Sequence, residues 1–199
     1  LVDLGLNHEQ QHQELLLMDI KHVLSRNPLR PAYAPRPAET VGAGAPPAWL
    51  PFAGGDCYFG HDGDGFRFDN ETPRHRVWLE DFELATRPVT NGELRAFIDD
   101  GGYRRPELWL ADGWSTVQEQ SWQAPLYWER RDGEWCHFTL AGMRSLDPAA
   151  PVCHLSHYEA DAFARWAGKR LPSEAELEVM LAQQPVSGNF ADDDMLHPQ

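Results

Sequence analysis

The sequence has 199 residues, of which 42% are hydrophobic and 11% aromatic, and it includes eight Trp. This composition supports a packed core and excludes an intrinsically disordered chain. The formal net charge of −14 would repel a nucleic-acid backbone or an anionic membrane, and no apolar run reaches the ~18–20 residues of a spanning helix, so we expect neither partner.

The first predicted element is one long helix over residues 1–26. Apolar residues recur among Glu, Gln and other good helix formers, no Pro interrupts them, and Asn27-Pro28 ends the pattern. The sequence starts inside this pattern without Met, and it ends at Gln199 in a polar segment with no helix or strand pattern. We therefore expect a piece of a longer protein, with both its first and its last domain incomplete.

A connector is predicted over residues 28–48, because repeated prolines remove backbone donors and exclude helix or central strand. From residue 49 the pattern changes to short strand-like runs at 57–60, 76–79 and 82–85, which gives a second domain over residues 49–199. Such a mixture of strands and helices predicts an α+β fold.

Three helices of this second domain are predicted by capping boxes, in which a Ser or Thr is followed three residues later by Glu. They begin at residues 90–93, 156–159 and 173–176. Five tryptophans lie between the first two boxes, and they predict core beneath long loops, with a ligand-binding face as the alternative: Trp109, Trp114, Trp122, Trp128 and Trp135. Three widely spaced cysteines, Cys57, Cys136 and Cys153, indicate buried, reduced thiols in a cytoplasmic protein.

His8 and His12 are the candidate metal ligands. Four residues apart on a helix, they lie about 40° apart on one face, so that both imidazoles can reach one metal ion. The spacing alone leaves open that the pair only forms hydrogen bonds within a helical bundle. Glu14 points away from His8 and is a poor third ligand.

A zinc protease is the literal alternative, since residues 8–12 fit H-E-x-x-H with Glu9 as general base. Leu15 and Met18 stand where the extended motif needs Gly and His. Glu39, in the connector, is the nearest carboxylate that could act as a downstream ligand. These departures disfavour the protease.

Residues 8–17, HEQQHQELLL, resemble the metal-binding helix of the DinB-like bundle in the ergothioneine-biosynthesis sulfoxide synthases, the EgtB family. Residues 71–77, 88–93 and 166–176 resemble the formylglycine-generating-enzyme (sulfatase-modifying-factor) domain, which has a C-type-lectin-like fold. The combination covers nearly the whole chain. It assigns residues 1–27 to the last helix of a truncated bundle and residues 49–199 to an incomplete second domain.

The resemblance implies a mononuclear non-haem Fe(II) site with three histidines, of which His8 and His12 are two and the third lies on an earlier helix. It further implies that O2 and a thiolate, from cysteine or γ-glutamylcysteine, react at the metal with hercynine to form a carbon–sulfur bond and a sulfoxide. Gln11 matches the position that lines the imidazole site. No catalytic residue is assigned, because the family's catalytic tyrosine is expected beyond Gln199.

We therefore expect a monomeric iron-dependent oxidoreductase that acts on small molecules, although this stretch alone is expected to be inactive. A related synthase that makes ovothiol or selenoneine stays open. So does a non-catalytic lectin-like binding module that holds no metal.

Overall fold

The computed structural model of the chain describes residues 1–34, 46–190 and 195–198. The described residues form five α-helices and seven β-strands, which confirms the predicted α+β class. In chain order they are α1 (Val2–Arg26), β1 (Trp49–Phe52), β2 (Gly55–Phe59), β3 (His75–Leu79), β4 (Phe82–Ala85), α2 (Asn91–Asp99), α3 (Ala111–Gln120), β5 (Trp128–Arg131), β6 (Glu134–Thr139), β7 (Gly142–Ser145), α4 (His157–Trp166) and α5 (Glu174–Leu181). In the part of the chain that is described, no helix is both long and apolar enough to cross a bilayer.

The chain divides into two compact units, each built from separate stretches of sequence. The first comprises Leu1–Ile20, Pro47–Thr86 and Pro172–Gly188, and the second comprises Lys21–Pro46, Arg87–Leu171 and Asn189–Gln199. The sequence-based division at residues 27/28 and 48/49 follows the change in composition instead, and it stays a prediction.

Two antiparallel strand pairs form the sheet structure of the first unit. β1 pairs with β4, so that Phe52 lies opposite Phe82 and their rings stack with centroids 5.2 Å apart. β2 pairs with β3 over five residue pairs. Glu178 of α5 accepts a hydrogen bond from the backbone amide of Gly60 at 2.6 Å, which connects this helix to the end of β2. The three strand-like runs predicted from sequence are thus confirmed as β2, β3 and β4.

The core of the second unit is built around Phe97 on α2. Phe97 and Leu94 are fully buried, together with Ala162 of α4. Gly102 packs directly on the Phe97 ring, where an added Cβ would lie only 2.1 Å from a ring carbon. Because backbone and ring are in such close contact, position 102 accepts no side chain without repacking.

All three predicted capping boxes are present. The hydroxyl oxygens of Thr90, Ser156 and Ser173 accept hydrogen bonds from the backbone amides three residues later, at 3.2–3.3 Å. In return, the paired glutamates accept from the backbone amides of the capping residues at 2.7–2.8 Å. The starts of α2, α4 and α5 are therefore fixed by contacts within four residues.

The tryptophan-rich region differs from its predicted long loops. It contains α3 and a three-stranded antiparallel sheet in the order β5-β6-β7. β5 and β6 are joined by Asp132 and Gly133, whose φ angles of 50° and 87° suit a two-residue hairpin turn. The prediction missed these elements because the aromatic residues obscure the alternation of the strands.

Candidate functional site

α1 carries the candidate metal ligands. From Leu6 to Arg26 it contains no Gly or Pro and is rich in Leu, Gln and Glu, which favour helix. It ends as predicted at Asn27-Pro28, where the Asn27 side chain accepts a hydrogen bond from the amide of Leu29 at 2.9 Å. This continuity keeps the face that bears the histidines regular.

The Nε2 atoms of His8 and His12 approach to 3.3 Å, with ring centroids 4.4 Å apart and planes at 69°. Imidazole nitrogens bind divalent metals such as zinc at about 2.0–2.1 Å, so two of them on neighbouring coordination positions are roughly 3 Å apart. The pair therefore has a separation that fits two ligands of one metal ion. Both side chains are exposed, as an incoming metal requires.

Gln11 is exposed on α1, one residue before His12. Glu9 and Glu14 are exposed on the same helix, and Glu39 lies outside the described residues. Where the chain is described, no group of three or more His, Cys, Asp or Glu side chains could hold a metal. The assignment of His8 and His12 as ligands and of Gln11 as a substrate contact stays a prediction.

A second group of ionisable side chains, which the sequence did not reveal, lies in the second compact unit. The Lys21 amine forms a hydrogen bond with Nε2 of His154 and lies 5.1 Å from the centre of the Tyr127 ring. The rings of Tyr127 and His154 meet edge to face, 4.9 Å apart. The Tyr127 hydroxyl is 3.2 Å from Nδ1 of His22.

Burial sets the protonation of this group. It lowers the pKa of Lys21, and the pKa of the neighbouring Cys153 thiol is raised. The pKa of His154 falls to about 4 through desolvation and the charge of Lys21, although part of this residue is still exposed to solvent. The pKa of His137 also falls to about 4, mainly because the ring is buried. Both histidines are thus neutral at pH 7.

The five tryptophans lie in the core, at a cavity, or at both. Trp109 is core, and its indole donates a hydrogen bond to the Gly102 carbonyl at 2.9 Å. Trp122, Trp128 and Trp135 line an open cavity of about 840 Å³ in the second unit. Trp114, Trp122 and Trp128 are partly buried and pack against the same core cluster as Trp109. The interpretation as core is therefore confirmed for these four, and Trp122 and Trp128 also line the cavity with Trp135.

The three cysteines, Cys57, Cys136 and Cys153, are free thiols, but their burial is intermediate, so the prediction that they are buried is wrong.

Several curated proteins are similar to the chain. It is 37% identical to hercynine oxygenase of Mycolicibacterium smegmatis over 93% of its own length and 42% of the relative's. With hercynine oxygenase of Mycolicibacterium thermoresistibile the identity is also 37%, over 92% of the chain and 40% of the relative. A formylglycine-generating enzyme of Streptomyces coelicolor is 34% identical over 84% of the chain and 55% of that protein. The chain thus spans about half or less of the length of these relatives.

Residues 37–199 match the family described as the Sulfatase-modifying factor enzyme 1-like domain. The match covers well over half of the sequence, including all strands and the helices α2 to α5. It confirms the formylglycine-generating-enzyme resemblance of residues 71–77, 88–93 and 166–176. The chain therefore belongs to the sulfatase-modifying-factor (formylglycine-generating-enzyme) domain family, and within it resembles the hercynine oxygenases.

Proposed function

We propose that the chain is part of a non-haem, Fe(II)- and O2-dependent sulfoxide synthase of ergothioneine biosynthesis. The reaction joins the sulfur of cysteine or γ-glutamylcysteine to the imidazole of hercynine. The observation that carries the proposal is the pair of Nε2 atoms, 3.3 Å apart, on the exposed face of α1. The similarity to hercynine oxygenases supports it.

His8 and His12 would hold the iron through Nε2, each as the neutral imidazole that metal binding requires. The iron, when bound, supplies the open coordination positions at which O2 and a thiolate can react. Gln11 would direct its side-chain amide to a ring nitrogen of hercynine and orient that substrate. An iron site with three imidazole ligands would require one more histidine in addition to His8 and His12.

The extents of the matches favour a hercynine oxygenase over a formylglycine-generating enzyme. The match to the M. smegmatis protein leaves only about 14 residues of the chain unmatched, so it must include part of α1. The match to the S. coelicolor enzyme covers less of the chain, 84% against 93%. The helix that carries the histidine pair is thus shared at least in part with the hercynine oxygenase.

Two further properties belong to this proposal. The enzyme would act in the cytoplasm as a monomer on small-molecule substrates. A sister enzyme that accepts histidine, or that uses selenium, would need the same two histidines, so substrate tests must decide between them.

The test is anaerobic Fe(II) titration of the full-length protein, followed by O2 uptake with hercynine and each thiol. Wild type is compared with His8→Ala and His12→Ala, and the matched control is His157→Ala, an exposed histidine on α4. Stoichiometric iron that both ligand variants lose and the control keeps, with thiol-dependent O2 uptake, is the expected result.

Other outcomes would replace the proposal. Zinc binding with peptide hydrolysis that depends on Glu9 would establish the protease. Absence of metal binding in wild type, with no effect of either histidine, would indicate a non-catalytic binding module. O2 uptake with histidine but not with hercynine would indicate the ovothiol-type synthase.

A further inference from the structure

Lys21 is the one residue of α1 that is buried, with 7% of its surface exposed. Apolar residues of the same helix are far more accessible, including Met18 at 56% and Val23 at 66%. Lysine is rarely buried unless its amine is paired, because removing an ammonium from water is costly. Its burial here therefore depends on the groups around it.

Those groups provide a specific pocket for one amine. The amine forms a hydrogen bond with Nε2 of His154, 133 residues away in sequence. The Tyr127 ring gives it a cation–π contact at 5.1 Å. Such contacts gain in strength when the cation is shielded from water.

Both partners hold a backbone conformation that L-residues avoid. Tyr127 has a φ of 72° and His154 a φ of 63°. Non-glycine residues at positive φ cost free energy and persist only where their surroundings impose them, often at functional positions. Two such residues meet edge to face beside one buried amine. The chain thus maintains two unfavourable conformations around Lys21.

We propose that Lys21 is a positioning residue, which with His154 and Tyr127 clamps the last turns of α1 and thereby restrains this helix. Lys21 lies nine residues after His12, which is two and a half helical turns. Its side chain therefore leaves the helix on the side opposite His12, about 14 Å along the axis. Because α1 is one continuous helix, loss of the clamp would loosen the helix that also bears His12.

The hydrogen bond requires one donor and one acceptor, so the Lys21–His154 pair shares a single positive charge at most. Burial lowers the pKa of Lys21, and the pKa of His154 falls to about 4, which keeps the imidazole neutral. His137, His197 and Cys153 are the other ionisable groups close to the pair. The first two are imidazoles and the third is a thiol.

The first measurement is hydrogen exchange of α1 backbone amides in the full-length protein. Lys21→Met keeps the length of the side chain and removes the amine, and the matched control is Lys169→Met, an exposed lysine. We expect faster hydrogen exchange over residues 18–26 in Lys21→Met and an unchanged exchange rate in the control. His154→Leu should speed exchange over the same residues. The double variant with Lys21→Met should exchange little faster than either single variant. Unchanged exchange in Lys21→Met would overturn the proposal.

The second measurement connects the clamp to the metal, and this part rests on the proposed function. Fe(II) affinity should weaken by about 2- to 30-fold in Lys21→Met, the range for substitutions that act on a site from a distance. Lys21→Arg, which keeps a cation, should recover part of the affinity. Faster exchange without any change in Fe(II) affinity would reduce Lys21 to a purely structural role and overturn the positioning proposal. If wild type bound no iron, the proposed function would fail, and hydrogen exchange would still decide the clamp.

Discussion

Tyr103 donates a hydrogen bond to Oε1 of Glu159 at 2.5 Å, across 56 residues of sequence. The other carboxylate oxygen of Glu159 accepts from the backbone amide of Ser156 and completes the capping box of α4. Burial and the adjacent carboxylate raise the pKa of Tyr103, so that the phenol stays a donor. One buried carboxylate therefore joins the start of a helix to the aromatic core.

Tyr103→Phe should lower the free energy of unfolding by about 1–3 kcal/mol, because a buried carboxylate oxygen loses its partner. Glu159 is only 3% exposed, so water cannot easily replace the phenol. The measurement is urea denaturation of the full-length protein, with Tyr58→Phe, an exposed tyrosine, as the control. A small and equal decrease in the free energy of unfolding of both variants would contradict the prediction.

Phe97→Ala should lower the free energy of unfolding by about 3–5 kcal/mol, since a fully buried aromatic ring is removed and leaves a cavity. Its ring contacts Tyr103, Trp109, Phe163 and Trp166 at centroid distances of 5.8–6.5 Å. Thermal unfolding measures the loss, and Phe66→Ala, at a residue 38% exposed, is the control. A loss below about 1 kcal/mol would show that the ring is not central to the core.

Stability should fall as pH drops from about 6.5 to 4, and the buried His137, together with the more exposed His154, should account for much of the change. Its pKa is about 4 in the folded state, below the ordinary value of 6.5, mainly through burial, with His197, Lys21 and His154 adding to the effect and Asp147 opposing it. Between these values the unfolded chain binds the extra proton, so acid favours unfolding, by on the order of 3 kcal/mol at most. Denaturation midpoints across this pH range measure the slope.

His137→Gln should flatten that pH dependence, whereas His157→Gln, at an exposed position, should leave it unchanged. The same slope in His137→Gln and wild type would assign the effect to other groups.

Ser173→Ala should destabilise the chain by about 1 kcal/mol, because the first turn of α5 loses its cap. The Ser173 hydroxyl accepts from the amide of Glu176 at 3.2 Å. Ser173→Gly is the informative comparison, since glycine at this position costs only a few tenths of a kcal/mol in other helices. Helix content by circular dichroism during thermal unfolding gives both values, and a larger loss for glycine would argue against the cap.

Local signals were sufficient for much of this fold. The capping boxes at Thr90, Ser156 and Ser173 need only four residues, and the end of α1 needs only Asn27-Pro28. The spacing of His8 and His12 likewise predicts a shared face, which the 3.3 Å separation of their nitrogens matches. Each of these features depends on neighbours in sequence, so no knowledge of the tertiary structure was required.

The remaining features depend on distant contacts or were obscured by composition. Lys21 and His154 are 133 residues apart, and no periodic pattern indicates that they meet. The hairpin of β5 and β6 had a signal in Asp132-Gly133, a pair typical of type I′ turns, but the surrounding aromatic residues suggested loops. The cavity lined by Trp122, Trp128 and Trp135 likewise exists only once this hairpin is formed.

That hairpin also gives the protein a built-in optical reporter. Trp128 on β5 and Trp135 on β6 hold their indole rings with centroids 5.7 Å apart and planes tilted by 60°. Arg130 lies over the Trp135 ring at 4.6 Å. Two indoles this close and fixed at an angle couple their electronic transitions, so the pair should contribute an exciton signal to the ultraviolet circular dichroism spectrum. Opening of the hairpin would abolish that signal while the distant helices kept theirs, which makes local unfolding visible without any added label.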